Sequence, residues 1–377
     1  MTITINNKNK KPNVPNLRFK EFQGEWEKTK FGDIAVVVGG GTPDTNTSQY
    51  WNGKIQWFTP SEIGRNKYVY NSVRTISEEG LNKSSAKLLP IGTILLSSRA
   101  TVGECSINKK ECTTNQGFQS LIPKENISNE FVYYLIQTKR KNLIRKSCGS
   151  TFLEISANEV RKIVVSIPTI KEQDKIAKLL SLLDERIATQ NKIIDKLQTL
   201  IKGIAHKVSK QGKPNIRLSE CLLCTSSTLQ ESDVAEVGAY PVYGANGIVG
   251  YLDTYNTTSE AIYIIKDGSG VGAVSYVKGK CSATGTLNIL QTKEGFSLRY
   301  LYFILKVFSF EPYKTGMAIP HIYFKDYGKA KIYCPSNQLQ CKYADLLSKI
   351  EQKATAEQKI LDNLCSQKQY LLCQMFI

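Results

Sequence analysis

The sequence predicts an α/β protein of the mixed (α+β) kind, in which two globular domains alternate with two long helices. Three observations predict it. An apolar heptad pattern runs through residues 168–208, and a related pattern returns 167 residues later, at the C-terminal end of the chain. Short strand-like runs bounded by glycine and proline fill the segments before each helix. At 377 residues the chain is long enough for two domains with separate cores.

The first helix is predicted by apolar residues spaced alternately four and three positions apart, which is the seam of a coiled coil. The packing residues of this seam are Ile176, Leu180, Leu183, Ile187, Ile194, Leu197 and Ile201. Gln190 is a polar interruption within it.

The second helix repeats the first. Its packing residues include Leu347, Ile350, Leu361, Leu364 and Leu371, and its polar position is Glu357. Identities such as Gln173 and Gln340 recur at the same offset, and two unrelated helices would not share so long a register. We therefore interpret the chain as an internal repeat. Buried polar residues often fix register in coiled coils, which suggests the same role for Gln190 and Glu357.

The patterns divide the chain into five predicted segments. They are a disordered basic tail (1–12), a first domain (13–167), a first helix (168–211), a second domain (212–333) and a second helix (334–377). The two helices are alike, whereas the two domains have diverged. The helices are therefore expected to perform one task twice, while each domain performs its own version of a common task.

Charge favours a polyanionic partner, because 50 Lys and Arg residues against 33 Asp and Glu residues give a formal charge of +17. A merely basic, soluble surface is the alternative. The N-terminal stretch lacks an apolar export segment, and no run has the length of a membrane span. With ten scattered cysteines and no disulfide framework, we expect a reduced, cytoplasmic protein.

The inventory of reactive residues predicts binding rather than catalysis. The two histidines, His206 and His321, suggest neither a triad nor a metal centre. The CxxC formed by Cys221 and Cys224 has no second pair to complete a zinc site, so we expect no metal. Residues 39–43 lack the ending of a phosphate-binding loop, and the glycines at 268–272 lack dinucleotide spacing. No cofactor is expected in this chain.

Candidate DNA-binding residues lie in the loops of both domains, where Arg, Asn and Gln side chains could pair with purine edges. In the first domain they are Thr42, Lys54, Trp57, Ser97, Ser98, Arg99, Thr101, Asn115 and Gln116. In the second domain they are Tyr240, Tyr243, Asn246, Tyr251, Lys266, Ser269 and Thr284. Lys139 and Arg140 could neutralise phosphates. The alternatives are that the aromatic residues belong to the core and that the basic run is a solvated helix end.

With these residues laid out, the chain resembles the specificity subunit of type I restriction-modification systems over nearly its whole length. The resemblance is most specific at residues 167–176 (IPTIKEQDKI), which match the start of the family's helix. Further similar segments are 14–19 with Trp26, 31–34 (FGDI), 40–43 (GGTP), 97–103 (SSRATVG), 115–117 (NQG) and 240–251. Two departures stand out. Leu339 replaces the motif glutamate in the second helix, and Asp267-Gly268-Ser269 stands in place of Ser98-Arg99-Ala100, so Arg99 has no counterpart.

The resemblance implies two target-recognition domains, each reading one half of a split site on double-stranded DNA. It also implies that the two helices pack as an antiparallel intramolecular coiled coil, which sets the gap between half-sites. Two modification (methyltransferase) subunits would dock on this chain, and restriction/translocase subunits would join them. S-adenosylmethionine, ATP and Mg are expected on those partners, so the chain would be a non-catalytic subunit.

Three other interpretations stay open. The first is a stand-alone DNA-binding or coiled-coil scaffold protein without a methyltransferase partner. The second is a catalytic nuclease, which the lack of a carboxylate cluster disfavours. The third is that only one half of the chain takes part in recognition.

Overall fold

Two long helices dominate the order of elements, and each follows a mixed domain. The computed structural model describes residues 13–149, 153–268, 270–316 and 319–377. The expected tail at 1–12 and the candidate Ser269 lie outside these residues. The helices are α1 Phe31–Ile34, α2 Glu78–Asn82, α3 Asn129–Arg145, α4 Ala157–Lys162, α5 Ile170–Ser209, α6 Leu218–Cys221, α7 Leu298–Leu305, α8 Phe324–Tyr327 and α9 Asn337–Gln374.

The strands fall into two similar sets. The first domain contains β1 Glu27–Lys30, β2 Ala35–Gly39, β3 Trp51–Phe58, β4 Tyr68–Val69, β5 Arg74–Ile76, β6 Ile94–Leu96, β7 Cys105–Asn108, β8 Cys112–Thr114, β9 Gln119–Pro123 and β10 Val164–Ile167. The second contains β11 Ile216–Arg217, β12 Leu222–Ser226, β13 Tyr240–Gly244, β14 Gly247–Leu252, β15 Ala261–Ile265, β16 Val274–Val277, β17 Ser282–Ala283, β18 Leu287–Thr292 and β19 Lys331–Ile332.

Sheet topology shows that one fold is built twice. The main sheet has the order β2-β9-β6-β7-β4 in the first domain and β12-β18-β15-β16 in the second. A second sheet has the order β5-β3-β8 in the first and β14-β13-β17 in the second, and both contain one parallel pair, β3 with β8 and β13 with β17. A two-stranded antiparallel ribbon, β1 with β10 or β11 with β19, leads into each long helix. The predicted mixed α/β class and the internal repeat are confirmed.

The chain forms two units. One comprises Met1–Ala188 with Asp362–Ile377, and the other comprises Thr189–Leu361. Each unit therefore holds one domain and part of both long helices. In the first unit Ile176 and Leu180 of α5 share a core cluster with Leu372 and Met375 of α9, together with the apolar face of α3.

In the second unit the later part of α5 and the first part of α9 pack with the second domain. Ile201 and Ala205 share a core cluster with Leu347 and with the apolar face of α7. Near the other limit of this unit, Gln190 contacts Glu357. The direction of α5 is thus opposite to that of α9, as in the antiparallel pair that the resemblance implies. The same direction holds in the first unit, where Asp184 pairs with Lys368 at 2.6 Å.

The predicted seam residues lie on the inner faces of the two helices. The buried members are Ile176, Leu180, Leu183, Ile194, Ile201, Leu347, Leu361 and Leu364, and the half-buried members are Ile187, Leu197, Ile350 and Leu371. Burying a Leu or Ile side chain stabilises a fold by about 1.5–3 kcal/mol. The seam is therefore a principal source of stability for both units.

Gln190 and Glu357, the two polar seam positions, hydrogen-bond to each other. The Gln190 side-chain amide donates to the Glu357 backbone carbonyl at 3.0 Å and also to the Glu357 carboxylate. Lys353 forms an ion pair with the same carboxylate. The hydrogen bonds from Lys353 and Gln190 lower the pKa of Glu357 below its usual value. Two polar groups that would each be costly to bury alone therefore satisfy one another.

Candidate nucleic-acid interface

Three loops of the first domain meet at one edge of its sheets. They are residues 40–42, 97–101 and 115–117. The Ser98 N–H donates to the Gly117 carbonyl at 2.8 Å, and the Thr42 hydroxyl donates to the Gln116 amide oxygen at 2.5 Å. These bonds join segments that are far apart in the sequence, so the candidate residues of these three loops form one surface. We call it the first loop edge.

Glycine makes the close approach of these loops possible. A Cβ on Gly40 would lie 2.0 Å from the Asn115 carbonyl oxygen, and one on Gly41 would lie 2.2 Å from the Ser85 hydroxyl. Real Cβ atoms do not approach so closely, so only glycine fits at these two positions. The indole N–H of Trp57 donates to the Gly41 carbonyl at 2.9 Å and fixes the loop from below.

The 97–101 loop has a constrained backbone. Ala100 has φ +57°, the left-handed region that residues with a side chain seldom adopt. The Ser97 hydroxyl donates to the Arg99 carbonyl at 2.9 Å and lies 3.0 Å from the Thr101 hydroxyl. Such backbone conformations cost of order 1–3 kcal/mol and cluster at functional sites. Here the buried serine fixes the backbone at Arg99, whose side chain is exposed.

The candidates of the first domain separate into a supporting set and an accessible set. The supporting, buried residues are Trp57, Ser97 and Ser98. The accessible residues are Thr42 and Asn115, which are half-buried, and Lys54, Arg99, Thr101 and Gln116, which are exposed. Trp57 is buried, which agrees with the alternative that it belongs to the core. Its contact with the first loop edge is the hydrogen bond to the Gly41 carbonyl.

Lys139 and Arg140 lie at the middle of α3. Arg140 forms an ion pair with Glu104 at 2.7 Å and packs beside Gly103, which adjoins the 97–101 loop. Lys139 donates to the Ile377 carbonyl at 2.5 Å, and burial lowers its pKa. Arg140 is thus the better placed of the two for a phosphate near the first loop edge.

The second domain builds an equivalent edge. The Thr284 N–H donates to the Tyr243 carbonyl at 2.9 Å, and the Lys266 N–H donates to the Thr286 carbonyl at 2.9 Å. In the first domain the Asn115 N–H bonds to Phe58 in the same way. We call this surface the second loop edge.

The candidates of the second domain also differ in accessibility. Thr284 is buried, Tyr240, Tyr243 and Lys266 are half-buried, and Asn246 and Tyr251 are exposed. Tyr240 packs edge-on against Tyr255 at 5.0 Å, and Lys280 lies over both rings. Lys280 therefore adds a cation to this surface that the sequence did not single out.

Each domain is attached to its long helix by the same glutamine. The Gln173 side chain accepts from the Ser128 N–H at the start of α3 (3.0 Å) and donates to the Pro168 carbonyl (2.9 Å). In the second unit Gln340 accepts from the Ser297 N–H at 2.9 Å, and it donates to the Pro335 carbonyl, also at 2.9 Å. These bonds explain why the repeat retains glutamine at this position.

Beside Gln173 and Gln340, a second side chain of each domain bonds to a serine of the long helix, and this side chain is acidic in the first unit and basic in the second. In the first unit Glu130 accepts from Lys67 at 2.9 Å and from the Ser181 hydroxyl at 3.0 Å. Burial raises the pKa of Glu130, but hydrogen bonds from Tyr68 and Lys67 outweigh it and lower the pKa below its usual value. Burial of Lys67 lowers the pKa of its ammonium group.

Glu130 lies two residues after Ser128, the serine that immediately precedes α3. In the second unit Arg299 occupies the same position, two residues after Ser297, which immediately precedes α7. Arg299 donates to the Ser348 hydroxyl at 2.9 Å and pairs with Glu351. Ser348 is the repeat counterpart of Ser181. The two domain–helix attachments therefore share geometry but differ in the sign of the charge.

Glu172 explains one departure from the helix motif. It is buried, accepts two bonds from Arg18 at 2.8 Å and one from the Trp26 indole at 3.3 Å. In the second unit Leu339 takes its place and is exposed. A buried carboxylate needs hydrogen-bond partners, and Arg18 and Trp26 supply them to Glu172. The exposed Leu339 of the second helix needs none.

Alignment of the second loop edge from the sequence was wrong by one residue. The Ile155 N–H donates to the Ser98 carbonyl at 3.0 Å, and the equivalent Ile322 N–H donates to the Lys266 carbonyl at 2.9 Å. Asp267 therefore occupies the place of Arg99, and Lys266 that of Ser98. The sequence could not show this alignment, because the bonds that define it join residues more than fifty positions apart.

Neither metal binding nor membrane insertion is indicated by the described residues. Within these ranges no group of three or more His, Cys, Asp or Glu side chains could hold a metal ion. Across the same ranges no helix has both the length and the apolar character needed to cross a membrane. Burial raises the pKa of the Cys221 thiol to about 12 and that of Cys224 to about 11, which disfavours the thiolate forms that bind metals.

The fold and the two loop edges define a class of duplicated α/β protein in which each domain is followed by a long helix. Residues 23–199 and 221–365 match the family described as the type I restriction modification DNA specificity domain. Because these two matches cover most of the chain, the chain belongs to this family.

Individual relatives agree. The chain is 40% identical over 180 residues to the type I restriction enzyme MjaIX specificity subunit of Methanocaldococcus jannaschii, covering 46% of this chain and 42% of that protein. It is 32% identical over 175 residues to the EcoR124I/EcoR124II specificity subunit of Escherichia coli, covering 45% and 43%. The matched part thus spans about two fifths of the length of these two relatives.

A longer but more distant match is the EcoprrI specificity subunit of Escherichia coli, 22% identical over 356 residues, covering 87% of this chain and 88% of that protein. Among solved structures, the S subunit of a type I restriction-modification system from M. genitalium has a TM-score of 0.64 at 20% identity, covering 97% of this chain and 99% of that one. At this identity the likeness establishes the fold.

Proposed function

We propose that this chain is the DNA sequence-specificity subunit of a type I restriction-modification enzyme. Each domain (13–167 and 212–333) reads one half of a bipartite site on double-stranded DNA. The helices (168–211 and 334–377) set the gap between the half-sites. The observation that supports this proposal best is the duplicated loop edge: the bond from Asn115 to Phe58 recurs as that from Thr284 to Tyr243, and different polar side chains stand beside it.

Chemistry of the accessible side chains supports DNA as the ligand. In the first domain Arg99, Asn115 and Gln116 are the types that pair with purine edges in the major groove. Lys54, Arg140 and Lys280 can neutralise phosphates, and the formal charge of +17 favours a polyanion. Because recognition surfaces that meet one duplex must face the same groove, the half-sites are expected to lie about one DNA turn, ~34 Å, apart.

The chain acts as a non-catalytic subunit in this proposal. Two modification (methyltransferase) subunits dock on the helices and domains, and restriction/translocase subunits join them. S-adenosylmethionine, ATP and Mg are bound by those partners, and the complex works on DNA in the cytoplasm. The family and its named relatives support these partners, because the relatives are subunits of restriction enzymes.

Co-expression with a candidate modification subunit tests the proposal. We expect a stable complex whose host DNA carries adenine methylation at one bipartite motif, detected by single-molecule methylome sequencing. The modification subunit expressed without this chain is the control, and its host DNA should lack the motif. If the chain binds no partner and leaves no motif, the stand-alone scaffold is the better description. Cleavage of DNA by the purified chain with a divalent metal would instead favour the nuclease.

A further inference from the structure

An acid–base pair lies beside the first loop edge. The Arg99 guanidinium and the Glu154 carboxylate are 2.8 Å apart, and both side chains are close to half exposed. Their backbones form an isolated antiparallel bridge, and Glu154 forms a second bridge to Cys148. Glu154 therefore contacts both Cys148 and the 97–101 loop.

A matching pair lies beside the second loop edge. His321 Nδ1 and Asp267 Oδ1 are 2.7 Å apart, and each side chain is about one third exposed. Asp267 and His321 form an isolated antiparallel bridge, and His321 forms a second bridge to Thr315. His321 therefore contacts both Thr315 and the segment that follows β15.

The two pairs occupy equivalent positions with the carboxylate and the nitrogen-bearing side chain exchanged. The corrected register places Asp267 on Arg99 and His321 on Glu154, and both pairs are followed by the same backbone bond from Ile155 or Ile322. In the first domain the residue after β6 is the nitrogen-bearing one, Arg99, and its carboxylate partner Glu154 comes later in the chain. In the second domain the residue after β15 is the carboxylate, Asp267, and the nitrogen-bearing His321 comes later. Two unrelated surface contacts would not share this backbone pattern.

Each pair leaves one nitrogen-bearing side chain positioned at its loop edge. A guanidinium has five donors in a fixed fork, so Arg99 can pair with Glu154 and still present donors to a ligand. For His321, the bond to Asp267 places the ring proton on Nδ1, which leaves Nε2 as an acceptor in the neutral ring. The ring also stacks over Tyr323, with centroids 6.5 Å apart, which limits its rotation.

We propose that Arg99 and His321 are equivalent base-reading residues of the two half-sites and that Glu154 and Asp267 position them. Arg99 donates to the O6 and N7 acceptors of a guanine. His321 accepts, through Nε2, from the exocyclic amino group of an adenine or a cytosine. This assignment rests on the proposed function, and it gives the second domain a reader at the position where the arginine is missing.

Substitution of His321 in the assembled modification complex tests the assignment. His321→Asn keeps a donor to Asp267 but removes Nε2, whereas His321→Gln can place an acceptor, its amide oxygen, near the Nε2 position. We expect His321→Asn to lower discrimination about 10-fold or more at one adenine or cytosine position of one half-site, with His321→Gln retaining part of it. The readout is the methylated motif, together with the methylation rates on oligonucleotides that vary that position.

Arg99→Gln is the companion variant, and we expect it to relax one guanine position in the other half-site. Asp267→Asn should relax the same position as His321→Asn, but less, because it loosens the ring without removing it. Lys278→Gln, which removes another exposed cation of the second domain, is the matched control and should leave the motif unchanged. Thermal unfolding of every variant excludes loss of folding as the cause.

Two results would overturn the assignment while the proposed function stands. One is a His321→Asn complex that methylates the wild-type motif with unchanged discrimination, and the other is equal relaxation of both half-sites by either single variant. If the wild-type complex methylates no bipartite motif at all, the proposed function fails, and the assignment fails with it.

Discussion

Removing the amide that attaches each domain to its helix should destabilise the two units by similar amounts. Gln173 is 1% exposed and Gln340 is 2% exposed, and each makes one bond to a helix-start N–H and one to a proline carbonyl. Substitution by alanine leaves both backbone groups without these partners. Each buried, unsatisfied group costs about 1–3 kcal/mol, so we expect Gln173→Ala and Gln340→Ala each to lose about 2–6 kcal/mol.

Urea unfolding followed by circular dichroism measures this loss, and thermal unfolding provides a second measurement. For units of this size 1 kcal/mol corresponds to a shift of about 2–4 °C, so each variant should unfold at least about 4 °C below the parent. Gln198→Ala, at an exposed position of the same helix as Gln173, is the control and should change stability little. Unfolding of Gln173→Ala at the same urea concentration as Gln198→Ala would show that the Gln173 amide contributes nothing to stability.

Three further predictions follow from charges and polar groups near the helices. Because the pKa of Glu130 is lowered in the folded state, its contribution to stability is present above the unfolded value of about 4.5 and is lost as pH falls through the folded value. Glu130→Gln should therefore flatten the acid side of the stability curve, and an unchanged curve between pH 6 and pH 3 would contradict this. Glu172→Gln should cost about 3–5 kcal/mol, because it leaves Arg18 with a buried neutral partner, and a loss below 1 kcal/mol in urea unfolding would show the pair to be unimportant. Replacing both Gln190 and Glu357 with leucine should permit cross-links in neighbouring registers when cysteines are placed along both helices, whereas retention of the parental cross-links alone would show that these residues do not set the register.

The sequence predicted the helices well, because a heptad seam is a local pattern that depends on spacing alone. It also predicted the repeat, since Gln173 and Gln340 recur at one offset. It could not predict the strand order, because strands such as β2 and β9 pair across more than eighty residues. The bonds that attach the domains have the same limitation, since the partners of Gln173 and Glu172 come from distant segments.

The candidate interface was harder to predict for a related reason. Ser97 and Ser98 are polar residues in a loop motif, but they are buried and support the backbone rather than face outward. Conversely, His321 was assigned no role because no reactive residue accompanies it in the sequence. Its partner Asp267 lies 54 residues earlier and is brought to it by a β-bridge. Sequence patterns therefore missed residue pairs that are distant in the sequence and that meet only in the folded chain.

Exchange of residues 13–167 for the corresponding domain of a relative with another target tests whether each domain reads its own half-site. The measurement is the methylated motif of a host that carries the chimaera with its modification subunit. Two separate readers on one helix pair predict that one half-site changes, while the other half-site and the gap stay as they were. A motif that changes in both halves, or in neither, would contradict the account.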